Sequence, residues 1–144
     1  MGKYKHQVFS FSDQEEIVWE TPPLGYFRLD IDASVNNEQK ATSGGIIRDS
    51  HGQCIVGYQC KLGYAHSTTA ELLVLIQGLQ CCRQYGLERV IVYTDSMEVY
   101  NLIMRDGDSS HPLREEINVA RSMIFSEWEL QLKYTSRDTI RYAN

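Results

Sequence analysis

The spacing of apolar residues in this chain changes at Thr68, and that change constrains the fold more than any other feature. Before Thr68 the pattern alternates. In Tyr26-Phe27-Arg28-Leu29-Asp30-Ile31-Asp32, Phe27, Leu29 and Ile31 fall on one side of a strand and Arg28, Asp30 and Asp32 on the other. Asn36-Asn37 reads as a turn. Ser43-Gly44-Gly45-Ile46-Ile47-Arg48 and Cys54-Ile55-Val56-Gly57-Tyr58 flank Asp49-Ser50-His51-Gly52, a strong turn signal between two apolar runs. From Thr68 the apolar period becomes helical: Leu72, Leu75, Ile76, Leu79 and Cys82 form one stripe, and Gly86 supplies a stop. Val90-Ile91-Val92-Tyr93 is a short strand of the buried, parallel kind. Helices are predicted over 96–104, with Val99, Leu102 and Ile103 inward, and after His111-Pro112, with Ile117, Ala120 and Ile124 inward. Leu130 to Tyr134 alternates again. The order β-β-β-α-β-α-α-β predicts an α/β domain. Its sheet is mixed and five-stranded, three antiparallel strands followed by two parallel ones, with flanking helices.

With 144 residues, one domain can bury an adequate core without disulfides or metal staples. Residues 1–23 read as a polar leader in which Trp19 is a candidate anchor, and 24–144 as the domain. No apolar run is long enough to cross a bilayer, the N-terminus lacks a signal-peptide core, and His6 breaks the myristoylation pattern that Gly2 invites. These features predict a soluble intracellular protein, cytoplasmic or nuclear, and a monomer with no membrane partner. The four cysteines, Cys54, Cys60, Cys81 and Cys82, form no Cys-x-x-Cys pair, so buried reduced thiols are expected rather than a zinc site. The net charge of −5 argues against a tight, purely phosphate-driven nucleic-acid binder. It does not exclude a nuclease whose acids hold cations, because bound cations reverse the local field.

Three carboxylates stand at the ends of separate elements: Asp32 closes the first strand, Glu71 opens the long helix and Asp95 follows the fourth strand. Converging acids repel unless a cation neutralises them, and oxygen-only ligands suit Mg²⁺ or Mn²⁺. Each acid also has a structural reading. Thr68-Thr69-Ala70-Glu71 fits a capping box, Asp95-Ser96 fits a helix N-cap, and Asp32 fits a polar strand edge. Asp30, on the same strand face as Asp32, reads as a solvated residue rather than a ligand.

The flanking residues resolve these alternatives as a group. Phe27 to Ser34 resembles the first catalytic strand of plant ribonuclease H-like domains, and Gly44 to Gly52 is similar to that family's second strand and turn. Thr69-Ala70-Glu71-Leu72 with Gly78-Leu79 resembles its central helix. Val92-Tyr93-Thr94-Asp95-Ser96 resembles its fourth-strand exit, and Arg137 to Asn144 its closing segment. The resemblance runs from about Trp19 to the end. It implies a ribonuclease H-like fold and a nuclease that cuts the RNA of a duplex, leaving 5′-phosphate and 3′-hydroxyl ends. Two divalent ions would be held by Asp32, Glu71, Asp95 and the residue at the position of Asn144. By that resemblance Asp32 bridges both ions while Glu71 and Asp95 hold the leaving-group side.

Asn144 departs from the family, which places Asp there. An amide oxygen brings no charge, so a weaker second metal and lower turnover are expected, whether Asn144 is a natural divergence or a substitution made to trap substrate, unless Asp30 or Asp138 takes over the role. The chain stops where the family's last helix would begin, which reads as a truncated domain or a segment of a larger retroelement polyprotein. A non-catalytic binding module is the competing function. Ala33 stands where the family has Gly, and no basic protruding helix is legible between Met104 and His111. The partner is an RNA–DNA hybrid or double-stranded RNA, both of which show a shallow minor groove with 2′-hydroxyls. Ala33, Ser34, Asn36, Asn37, Ser43, Thr68 and Ser96 are the candidate contacts to it. Arg48, Lys133 and Arg137 are candidate phosphate contacts, though a scattered surface cation is the simpler reading of each.

Overall fold

The computed structural model describes residues 21–105, 110–126 and 129–136. Its elements, in chain order, are strands β1 (Phe27–Val35), β2 (Lys40–Arg48) and β3 (Cys54–Tyr64), helix α1 (Ser67–Gln84), strand β4 (Arg89–Thr94), helices α2 (Met97–Met104) and α3 (Arg114–Ile124), and strand β5 (Glu129–Tyr134). They form one five-stranded sheet in the order β3-β2-β1-β4-β5. The β1–β2 and β2–β3 ladders are antiparallel; β1–β4 and β4–β5 are parallel. This is the mixed five-stranded sheet, three antiparallel strands followed by two parallel ones, that the sequence predicts. Residues 1–20, where the sequence reads as a leader, residues 106–109 and 127–128, and the closing segment with Arg137, Asp138 and Asn144 lie outside the described residues.

Turn chemistry sets the antiparallel half. Asn36 accepts the Glu38 and Lys40 backbone N–H groups on its side-chain oxygen at 2.9 and 3.0 Å, closing the β1–β2 connection. Asp49 does the same for His51 and Gln53, at 2.8 and 3.0 Å, with Gly52 at φ +81° completing the turn. The first three strands run longer than their apolar alternation, because backbone ladders continue through Ser34, Thr42 and Lys61 after the hydrophobic pattern has stopped.

Helix α1 begins at Ser67, with His66 as its N-cap residue, so Thr68 lies inside the helix and cannot head a capping box. Its C-terminus is a Schellman arrangement: the Leu87 N–H reaches the Cys82 carbonyl and the Gly86 N–H the Arg83 carbonyl, with Gly86 at φ +71°. Helix α3 starts at Arg114, just past His111-Pro112.

One hydrophobic cluster joins the inward strand residues Leu29, Ile31, Ile47, Val90, Val92 and Leu132 to side chains of all three helices. Each fully buried aliphatic side chain contributes about 2 kcal/mol. The Tyr58 ring packs between Gly45 and Gly78 and donates its hydroxyl to the Val74 carbonyl at 2.9 Å. A Cβ on Gly78 would sit 2.5 Å from the Tyr58 hydroxyl and 2.6 Å from Leu29, so these glycines set how closely α1 approaches the sheet. Among the described residues, no helix is long and apolar enough to cross a membrane.

Candidate metal centre

The central strands and α1 bring three acids together. Asp32 projects from β1, Glu71 from the second turn of α1, and Asp95 from the corner between β4 and α2. One ligand oxygen from each lies within 4.8 Å of the other two; Glu71 is buried, Asp95 half-buried and Asp32 exposed. Across the β1–β2 ladder Asp32 pairs directly with Gly44, a residue without a side chain. Two oxygens on a single Mg²⁺ are at most ~4.2 Å apart, set by its short bond length. Separations up to 4.8 Å suit oxygens that contract slightly around one ion or share a pair of ions. The all-carboxylate donor set and its open side at Asp32 fit hard divalent cations.

Neither local structural reading accounts for these acids. Glu71 Oε2 accepts the hydroxyl of buried Thr94 at 2.8 Å. Ser96, rather than Asp95, caps α2 by accepting the Val99 N–H at 3.1 Å. Thr94 Oγ1 in turn accepts the Ser96 backbone N–H at 3.1 Å.

Asp30 corrects the sequence expectation of a solvated residue. Arg28 grips it with Nε and Nη2, both 2.9 Å from a carboxylate oxygen, and Arg48 Nη1 adds a contact at 3.4 Å. Both arginine side chains are buried, and Arg28 also lies 3.7 Å from the centre of the Tyr93 ring. Arg48 is therefore no surface cation and no phosphate contact. Burial pushes its pKa below the ordinary guanidinium value, with the charge of Asp30 opposing the shift. An acid neutralised in this way is not a substitute ligand for the fourth position.

The expected nucleic-acid contacts divide. Ser43 is buried within β2, which removes it from any substrate surface. Ser34 is exposed and exchanges a hydrogen bond with Thr42 at 3.2 Å. Asn36 is exposed but its side-chain oxygen closes a turn; Asn37 is exposed and Ala33 half-buried. Thr68 donates its hydroxyl to Glu98, and Ser96 serves as the α2 cap. Lys133 is exposed on β5. Thr94 and Glu98 touch site residues, although the sequence alone assigns neither of them a role. Thr94 could have been found from its place in the buried row Val90, Val92, Thr94, where a hydroxyl needs a partner. Of the cysteines, Cys82 is buried, with its thiol pushed up to about 12 by desolvation, whereas Cys54 and Cys81 are only partly buried.

Comparisons with known proteins agree with this architecture. A family model described as reverse transcriptase-like matches residues 30–144. An Arabidopsis thaliana protein that carries a ribonuclease H name is 26% identical over 129 residues, covering 89% of this chain; the chain spans only 21% of that relative's length. Among solved structures, ribonuclease H1 of Halobacterium salinarum superposes with a TM-score of 0.71 at 19% identity, covering 82% of this chain and 92% of that one. The N-terminal ribonuclease H domain of a Mycobacterium tuberculosis protein gives 0.69 at 18% identity, over 81% and 90% of the two chains. LC11 ribonuclease H1, solved in complex with an RNA/DNA hybrid, gives 0.68 at 18% identity, over 79% and 88%.

Proposed function

Because the chain belongs to the reverse transcriptase-like family and has a ribonuclease H-like fold, we propose that it is a divalent-metal-dependent endoribonuclease that cuts the RNA strand of an RNA–DNA hybrid. The observation that carries this reading is the convergence of Asp32, Glu71 and Asp95, from three distant parts of the chain, on one shared point. The hybrid bound to LC11 ribonuclease H1, a fold neighbour, favours that duplex over double-stranded RNA.

In this reading Asp32, Glu71 and Asp95 hold two Mg²⁺ or Mn²⁺ ions, with Asn144 at the fourth position. When bound, such ions supply charge stabilisation at the scissile phosphate and activation of the attacking water. The protein's part is to hold the acids on two strands and a helix that the core keeps rigid, so the site needs little reorganisation when substrate arrives. Glu71 is the buried, fixed ligand; exposed Asp32 stands on the side from which a duplex can approach. Ser34, Asn36 and Asn37 on the β1 side and Thr68 and Ser96 at the two helix starts would meet the minor groove. The acidic chain keeps affinity modest and dependent on salt.

A labelled hybrid and a labelled RNA duplex, each incubated with Mg²⁺ or Mn²⁺, test the proposal. Cleavage of the hybrid that is lost in Asp32→Asn and in Asp95→Asn supports it. Retained cleavage in both variants removes it. Preferential cutting of the RNA duplex would reassign the substrate. One residue favours a second reading, a non-catalytic binding module: Asn144, where the resemblance calls for an acid. A gain of metal-dependent cleavage in Asn144→Asp would show a competent scaffold lacking one charged ligand. Duplex binding without cleavage in both proteins would favour the binding module.

A further inference from the structure

We infer that Thr94 is a positioning residue for the metal centre, its hydroxyl orienting the Glu71 carboxylate towards Asp32 and Asp95; the inference rests on the metal-binding reading above. Thr94 ends β4 in the buried row that includes Val90 and Val92, and none of its surface is exposed. A hydroxyl in such a row is unfavourable unless its hydrogen bonds are made. Both are made, and their directions follow from the chemistry. The Ser96 backbone N–H donates to Thr94 Oγ1 at 3.1 Å, and the Thr94 hydroxyl donates its single proton to Glu71 Oε2 at 2.8 Å. The carboxylate oxygen is the acceptor and the hydroxyl the donor in this contact.

The contact links elements distant in sequence. Thr94 directly precedes Asp95, and Ser96 caps α2, so one hydroxyl ties Glu71 on α1 to the three-residue corner that carries the second acid. A hydrogen bond to one carboxylate oxygen restrains rotation of the group about its last bond. The restraint acts in a buried setting, where charge-assisted hydrogen bonds are strong. Acids gathered this closely repel one another in the absence of metal, so a contact that fixes the orientation of one of them matters most there. Thr94 thus holds Glu71 in its ligating orientation before any cation arrives.

Mn²⁺ binding, followed by electron paramagnetic resonance and by the metal-dependent rise in melting temperature, tests this without any cleavage assay. Thr94→Val keeps the shape and removes the hydroxyl; it should weaken Mn²⁺ binding by roughly 10–100-fold, the usual effect of losing a partner that orients a ligand. Thr94→Ser keeps the hydroxyl and should bind like the unaltered protein. Unchanged affinity in Thr94→Val, or an equal loss in Thr94→Ser, overturns the inference. If the valine variant does not fold, Thr94→Cys, a weaker donor of similar size, carries the comparison: reduced affinity supports the role, and unchanged affinity overturns it. If the unaltered protein binds no Mn²⁺, the metal-centre reading itself fails and this inference fails with it. That outcome is distinct from a metal-binding protein indifferent to residue 94.

Discussion

Asp30 and Asp32 lie two residues apart on the same side of β1, yet their surroundings give them opposite roles. Asp30 is enclosed by two buried guanidinium groups, one of them stacked on Tyr93, and its charge is neutralised where it stands. Asp32 faces a glycine across one ladder and two further acids across the site. In the first case the fold has supplied the counter-charge; in the second it has gathered like charges, an arrangement that makes physical sense once a cation is present. Residue type and strand position do not distinguish a structural acid from a ligand. The sign of the neighbouring charges does.

Substitutions can break or sharpen that contrast. The largest effect is expected from Asp32→Asn, which should lower Mg²⁺-dependent cleavage by ~1,000-fold or more, about 4 kcal/mol of activation free energy. In metal-free buffer the same variant should melt no lower than the unaltered protein, since a repulsion has been relieved. A lower melting point would mean that Asp32 has a structural role. Asp30→Asn should do the reverse. Its loss leaves two buried cations without that counter-charge, which costs about 3 kcal/mol in a urea titration, while the folded fraction keeps its metal affinity. A large loss of Mn²⁺ binding with little change in urea midpoint would merge the two acids into one site and dissolve the comparison.

Gly78→Ala is a control away from both acids. The new Cβ collides with Tyr58 and Leu29, so a loss of about 2 kcal/mol is expected with unchanged metal affinity, read by calorimetry in the cold. The smallest effect at neutral pH comes from Cys82, whose pKa in the folded protein is raised from 9.0 to about 12. Its neutral thiol favours the folded state below pH 9; that contribution is lost as pH rises from 9.0 towards about 12, because the unfolded chain ionises first. Cys82→Ala should flatten this part of the alkaline stability curve. Iodoacetamide at pH 8.5 should label partly buried Cys54 well before Cys82.

Much of this was legible in the sequence wherever a local rule decides the outcome. The alternation through Leu29 and Ile31, the stripe from Leu72 to Cys82 and the turn at Asp49 each depend on residues near one another in the chain, and the sheet and helices follow them. Glu71 was ambiguous because its spacing from Thr68 satisfies a capping box equally well. The earlier start of α1, at Ser67, and the contact of Glu71 with Thr94 separate the two readings. The setting of Asp30 was not legible. Arg48 reaches it from β2, where Asp30 pairs in register with Ile46, and no window of local sequence contains that register. The burial of Ser43 escaped for the same reason: it lies in the β2 run from Ser43 to Arg48, which is buried on both faces, so alternation gives no warning.

The side-by-side placement of β1 and β4 has a consequence for the order in which the domain matures. More than sixty residues of chain separate Asp32 from Asp95, and the end of β1, strands β2 and β3 and helix α1 are synthesised between them. A nascent chain emerging from a ribosome therefore cannot bring the three acids together until β4 is available to dock, and such distant pairings are slow to form. Until then the chain carries only scattered acids, and the three carboxylates meet only once the parallel half of the sheet has closed.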